Sequence, residues 1–189
     1  MVGSWLLLIQ IDEISFLRIN FDLKELVISI ILFTIIAVVE ETLFRGYILR
    51  NLMSSLNKYL ALILSSFLFS LMHSLNPNIE LFSLFNLFLA GLVLGSSYLY
   101  TKNLWFPIAL HLSWNLFQTL LGFNVSGQDT YSLIEFEINR ANLLNGGAFG
   151  FEGSYLSLFA EIISILGIGL YYNRKKLIPS AYKDIDRYF

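Results

Sequence analysis

Apolar residues fall along this chain in long blocks broken by short polar segments. The blocks run from Glu25 to Leu52, Lys58 to Leu75, Leu81 to Tyr100, Leu104 to Leu121 and Tyr155 to Tyr172. A helix that crosses a bilayer needs about 20 mostly apolar residues, and each block reaches or nears that length. The breaks carry turn formers: Asn51 to Lys58, Asn76-Pro77-Asn78, Thr101-Lys102-Asn103 and a polar stretch from Gly122 to Ser154. Near the N-terminus, Trp5 to Ile11 is apolar but too short to span. It lacks a basic leading region and a small-residue cleavage site, which argues against a signal peptide. Asp12 to Lys24 mixes Phe16, Leu17 and Phe21 with charges, a pattern that suits a loop or an interfacial helix. The pattern predicts an all-α, polytopic transmembrane helix bundle with about five clear spans plus an N-terminal interfacial segment, residues 1–24. Residues 25–172 form one transmembrane domain with an outward loop at 122–154, and residues 173–189 form a cytoplasmic tail.

Composition strengthens this picture. Hydrophobic residues make up 56%, aromatics 16% and charged residues only 14%, against about 45–50% apolar and about 25% charged in soluble domains. This excludes a soluble enzyme, a disordered chain and a nucleic-acid binder. The absence of cysteine excludes disulfides, thiol nucleophiles and zinc–thiolate sites. Basic residues set the orientation. Arg50, Lys58, Lys102, Arg174, Lys175 and Lys176 fall on one side and outnumber Arg18, Lys24 and Arg140 on the other, which places the C-terminus in the cytoplasm. Small residues four apart, Gly91 with Gly95, Ala61 with Ser65 and Ser66 with Ser70, predict close helix packing.

Charges inside spans are costly and usually mark function. Here they are Glu40, Glu41 and Arg45 in the first span and Glu161 in the last, while both histidines, His73 and His111, also fall within spans. Glu41 and Arg45 are four apart and can pair on one helix face, a structural role. Glu40 is rotated about 100° from Glu41 and can face a different neighbour. His111 and Asn115 share a face and can present an imidazole and an amide together. Phe69 lies one turn from His73. Glu161 reads as a boundary or packing residue, and Phe44, Phe69 and Trp114 as core or substrate-facing packing.

A carboxylate, two imidazoles and an amide suffice for peptide hydrolysis. Glu40 can activate a water as general base, one histidine can orient it, and the other, with an amide N–H, can stabilise an oxyanion. A metal reading competes: Glu40, His73 and His111 could form a His₂Glu zinc site with an open position. There is no H-E-x-x-H motif and no serine motif of the G-x-S-G type ahead of a histidine-bearing span. A non-catalytic protein with the polar cluster as interhelical glue is the alternative of a different class. A transporter is a third, unsupported by discontinuous spans.

Three motifs then stand in order. Glu40-Glu41-Thr42-Leu43-Phe44-Arg45 resembles the E-E-x-x-x-R motif of the CPBP family, which comprises CAAX proteases and bacteriocin-processing enzymes and is also called the Abi family. Phe69-Ser70-Leu71-Met72-His73 resembles its F-x-x-x-H motif, and His111-Leu112-Ser113-Trp114-Asn115 its H-x-x-x-N/D motif. The resemblance covers about residues 25 to 121. It implies an intramembrane endopeptidase that acts on a membrane-associated, prenylated or CAAX-like protein or peptide, in a bacterial or archaeal cytoplasmic membrane. By motif, Glu40 would activate water with His73 assisting, His111 and Asn115 would form the oxyanion hole, and Glu41 and Arg45 would support the site. The family was named for metalloproteases, but its Rce1-like branch implies no bound metal, so no cofactor is expected and zinc is the alternative. The bilayer and the substrate are the implied partners, and no oligomeric state is implied. A bacteriocin-immunity factor or scaffold is the non-catalytic version of the same resemblance. Members commonly have six to eight spans, so the expectation is that spans are missing at the N-terminus.

Overall fold

The computed structural model describes residues 1–177. The predicted cytoplasmic tail, 173–189, lies from residue 178 onward outside the described residues. The elements are α1 (Val2–Gln10), β1 (Ile14–Ile19), α2 (Leu23–Glu41), a π-helical segment (Thr42–Leu49), α3 (Arg50–Ser55), α4 (Lys58–Met72), α5 (Leu81–Thr101), α6 (Trp105–Leu120), β2 (Ile134–Ile138) and α7 (Tyr155–Leu177). From Leu23 to Ser55 the helical segments are continuous, a run of 33 residues.

Local chemistry sets the helix ends. The Asp22 carboxylate accepts from the backbone N–H of Lys24 at 2.8 Å and of Glu25 at 3.1 Å, starting α2. The Asn57 side chain does the same for Tyr59 and Leu60 at the start of α4. Lys102, at φ 56°, ends α5 in the left-handed conformation.

All five apolar blocks are helical. Among the described residues three of these helices are long and apolar enough to cross a membrane: Leu23–Ser55, Leu81–Thr101 and Tyr155–Arg174. Helices α4 and α6 have only 15 and 16 residues, because the Ser74–Asn78 turn and the capping turns at Asn103 and Gly122 cut them short. The all-α expectation is corrected. Strand β1 forms within the stretch expected to be a loop or interfacial helix. It pairs antiparallel with β2 of the 122–154 loop, Ile14 opposite Ile138 and Ile19 opposite Ile134. Arg18 clamps the pair by donating to both carboxylate oxygens of Glu135 at 2.6 and 3.1 Å.

Helix α5 is the central post. Its apolar window is 61% buried, against 22% for Leu23–Ser55 and 11% for Tyr155–Arg174, whose apolar faces stay exposed as lipid contact requires. Its predicted small-residue face carries a close approach to α4. A Cβ on Gly91 would sit 2.9 Å from the Ser66 Cα of α4, so only glycine lets the two backbones meet there. One end of the bundle is covered by α1, the β1–β2 ribbon and the 122–154 loop, which pack through Leu8, Ile14, Leu121, Phe123 and Phe151. At the other end Leu49, Ala61, Leu62, Tyr98 and Leu99 join the π-helical segment, α4 and α5. Between them Phe44, Phe69 and Leu94 form a small apolar cluster beside the polar residues.

Candidate active site

The polar residues of the bundle converge. Glu40, His73, His111 and Asn115, predicted on three separate helices, all line one cavity of about 130 Å³ beneath the covering loop. Glu41 and Arg45 lie directly behind that wall, fully buried.

The first motif straddles the transition from α2 to the π-helical turns at Thr42–Leu49. Such wide turns concentrate at functional segments. Here they begin directly after the two glutamates and bury Phe44, Arg45 and Leu49. Arg45 Nη1 donates to Glu41 Oε1 at 2.8 Å, and Nη2 donates to the Gly91 carbonyl oxygen at 3.1 Å. Its guanidinium also stacks over the Phe69 ring, 4.6 Å from the centroid. Glu41 thus supports the site in a way its pairing with Arg45 alone does not convey. The same Oε1 lies 2.9 Å from His111 Nδ1 on α6. Arg45, Glu41 and His111 form one chain of contacts across two helices.

The two imidazoles are fixed in different ways. His73 closes α4, and its Nδ1 is 2.8 Å from the Phe69 carbonyl oxygen. A carbonyl only accepts, so Nδ1 carries the proton and Nε2 presents a lone pair. That Nε2 stands 3.9 Å from Glu40 Oε2, beyond hydrogen-bond length. His111 spends its Nδ1–H on the Glu41 carboxylate, which leaves Nε2 free. Phe69 packs between the rings, with centroids 4.8 Å from His73 and 6.2 Å from His111. The Asn115 amide is buried at the cavity wall and makes no hydrogen bond among the described residues.

Two acids join this set that the sequence reading either omitted or placed elsewhere. Glu152, in the glycine-rich loop, is buried and lines the cavity; its Oε2 accepts from the Ser126 N–H at 2.8 Å and from the Ser126 hydroxyl at 2.7 Å. Burial pushes the Glu152 carboxyl above its ordinary value, against the pull of the Ser126 donors and of both histidines. Glu161, expected to be a boundary or packing residue, is buried at the same cavity. The available signal was the Phe-Glu-Gly segment set directly before the last apolar block, and the only acid within that block.

Among the described residues no three histidine, aspartate or glutamate side chains are gathered closely enough to hold a metal ion.

A family model described as Rce1-like, type II CAAX prenyl endopeptidase, matches residues 22–117. The match runs through every helix that carries Glu40, Glu41, Arg45, His73, His111 and Asn115. No curated protein and no solved structure matches the chain.

Proposed function

The chain belongs to the Rce1-like family of type II CAAX prenyl endopeptidases, and from that premise we propose that it hydrolyses a peptide bond of a membrane-associated, prenylated or CAAX-like substrate by glutamate-activated water. The observation that carries this reading is the meeting of Glu40, His73, His111 and Asn115 at one cavity wall.

The separation of Glu40 and His73 supports a shared water. Two hydrogen bonds of about 2.8 Å meeting at one oxygen hold their partners roughly 4.0–4.5 Å apart, close to the 3.9 Å between Glu40 Oε2 and His73 Nε2. The water donates one proton toward Glu40 and the other toward the His73 lone pair, and its oxygen attacks the scissile carbonyl carbon. Glu40 takes up a proton as the new C–O bond forms. The oxyanion is held by the Asn115 amide N–H, and the His111 imidazole, which Glu41 keeps in place, completes the hole. When the C–N bond breaks, the Glu40 proton passes to the leaving amine, and a carboxylic acid and an amine are released. Arg45 keeps the buried Glu41 charge compensated. Every step uses a side chain at the cavity or one directly behind it. The bias of basic residues supports a cytoplasmic C-terminus, with the covering loop on the opposite side.

The test is hydrolysis of prenylated and membrane-peptide libraries by purified protein in detergent. Glu40→Gln is expected to lower the rate on the order of 10²–10⁴-fold while unfolding at the wild-type temperature. His111→Ala is expected to lose activity as well. Chelator is expected to leave the wild-type rate unchanged. Equal cleavage by Glu40→Gln would overturn the mechanism, and chelator-sensitive cleavage would assign it to a metal.

A further inference from the structure

The cavity holds more carboxyl groups than the proposed hydrolysis uses. Glu152 and Glu161 line it together with Glu40, while no lysine or arginine among the described residues does. The neighbouring guanidinium, Arg45, is committed to Glu41 and the Gly91 carbonyl. The remaining ionisable groups on the wall are His73 and His111.

Both extra acids have an oxygen left over. Glu161 is 1% exposed; its Oε1 accepts from the Ser157 hydroxyl at 3.0 Å, while its Oε2 is buried without a partner. Glu152 binds Ser126 through Oε2 alone, and its Oε1 makes no hydrogen bond among the described residues. For Glu161 Oε2, removal from water without a donor is unfavourable unless a cation or a proton completes the oxygen.

The loop is shaped to hold Glu152 there. Ser126 adopts the left-handed conformation at φ 49°, a strained setting for a residue with a side chain, and so presents both its N–H and its hydroxyl to the carboxylate. Asn86 of the central helix donates to the Glu152 and Ser154 carbonyl oxygens at 2.7 and 3.0 Å. Gly150, at φ 96°, meets the Asn124 carbonyl so closely that any Cβ would collide with it. Strain of this kind clusters at functional sites. Both acids lie outside the matched segment 22–117, so the arrangement belongs to the loop and last helix of this chain.

We propose that Glu152 and Glu161 form an acidic subsite that receives a basic side chain of the substrate close to the scissile bond. The proposal rests on the endopeptidase reading above. A lysine ammonium or arginine guanidinium would supply donors to the free Glu152 Oε1 and the unpaired Glu161 Oε2. Charge-assisted bonds of this kind are the strong ones in a dry pocket. A neutral side chain of the same length would leave both oxygens without a partner.

The test uses matched detergent-solubilised peptides with lysine, norleucine or glutamate at each position flanking the cleaved bond. At one position, the wild-type protein is expected to favour lysine over norleucine in kcat/KM on the order of ten-fold or more. Glutamate should be rejected. In Glu152→Gln and Glu161→Gln the lysine-to-norleucine ratio is expected to fall toward one. Equal cleavage of the lysine and norleucine peptides by the wild type would overturn the subsite, as would variants that cleave with the preference intact. Binding provides a readout that needs neither turnover nor those variants. Calorimetry with the Glu40→Gln protein is expected to show tighter binding of the lysine peptide than of its norleucine counterpart. Equal affinities there would reject the subsite even if hydrolysis is established. Tighter binding of the lysine peptide in a protein that cleaves nothing would uphold the subsite and reject the peptidase.

Discussion

Arg45→Met tests the link behind the cavity wall most directly. The side chains of Glu41 and Arg45 are 0% and 1% exposed. Methionine fills much of the arginine volume but removes one of the two donors to Glu41 Oε1, the donor to the Gly91 carbonyl and the cation over Phe69. Breaking a buried pair from one side typically costs about 3–5 kcal/mol, because the other charge stays buried without compensation. For a chain of this size each kcal/mol shifts the midpoint by about 2–4 °C, so the expected fall is roughly 6–20 °C. Thermal unfolding in one mild detergent, followed by intrinsic fluorescence, reads it. The double variant Glu41→Gln, Arg45→Met removes both charges and is expected to recover part of the loss, with a coupling of about 0.5–3 kcal/mol. Two results would refute the reasoning. One is a loss in Arg45→Met below about 1 kcal/mol, the range of exposed pairs. The other is a double variant no more stable than the sum of the two single changes.

Two further predictions follow from the site. Asn115→Ala is expected to lower kcat on the order of 10²–10³-fold with little change in KM, since the amide acts on the oxyanion; steady-state kinetics on one cleaved peptide would show it. Glu152 should make stability depend on pH. Its folded carboxyl sits above the ordinary value of 4.5, so folding favours the protonated form. The stabilisation is complete below the unfolded value and is lost as pH rises through the raised folded value. The unfolding midpoint, measured upward from about pH 4.5, should therefore fall more steeply with pH in the wild type than in Glu152→Gln; parallel curves would contradict it.

The sequence is informative here because polar residues are so unusual in its apolar blocks. Glu40, His73, His111 and Asn115 stand out against leucine and phenylalanine, and their helical spacing assigns each a face. What links them is less visible. The Glu41–His111 contact joins residues 70 apart, and no periodicity reports which helices become neighbours. Glu152 sits in a polar loop where an acid is ordinary, and only the fold of that loop turns it inward. Strand β1 escapes notice for a similar reason. Ile14–Ile19 lacks clean alternation, and its partner lies more than a hundred residues away, with Arg18 and Glu135 separated by 117. Helix length is less visible for another reason: hydropathy runs on through residues such as Leu75 and Leu121 after the helical backbone has ended.

The brevity of α4 and α6 also matters for how water reaches a site in lipid. Fifteen and sixteen residues rise only roughly 22–24 Å, against about 30 Å of hydrocarbon. Where a helix this short lies across a bilayer, the bilayer meets it by thinning beside it. Helix α4 ends at His73 and α6 carries His111 and Asn115, so the thinned region borders the very residues proposed to handle water. Hydrophobic mismatch thereby draws the aqueous boundary toward the hydrolytic residues. It also makes the thickness of the host membrane a variable on which turnover should depend.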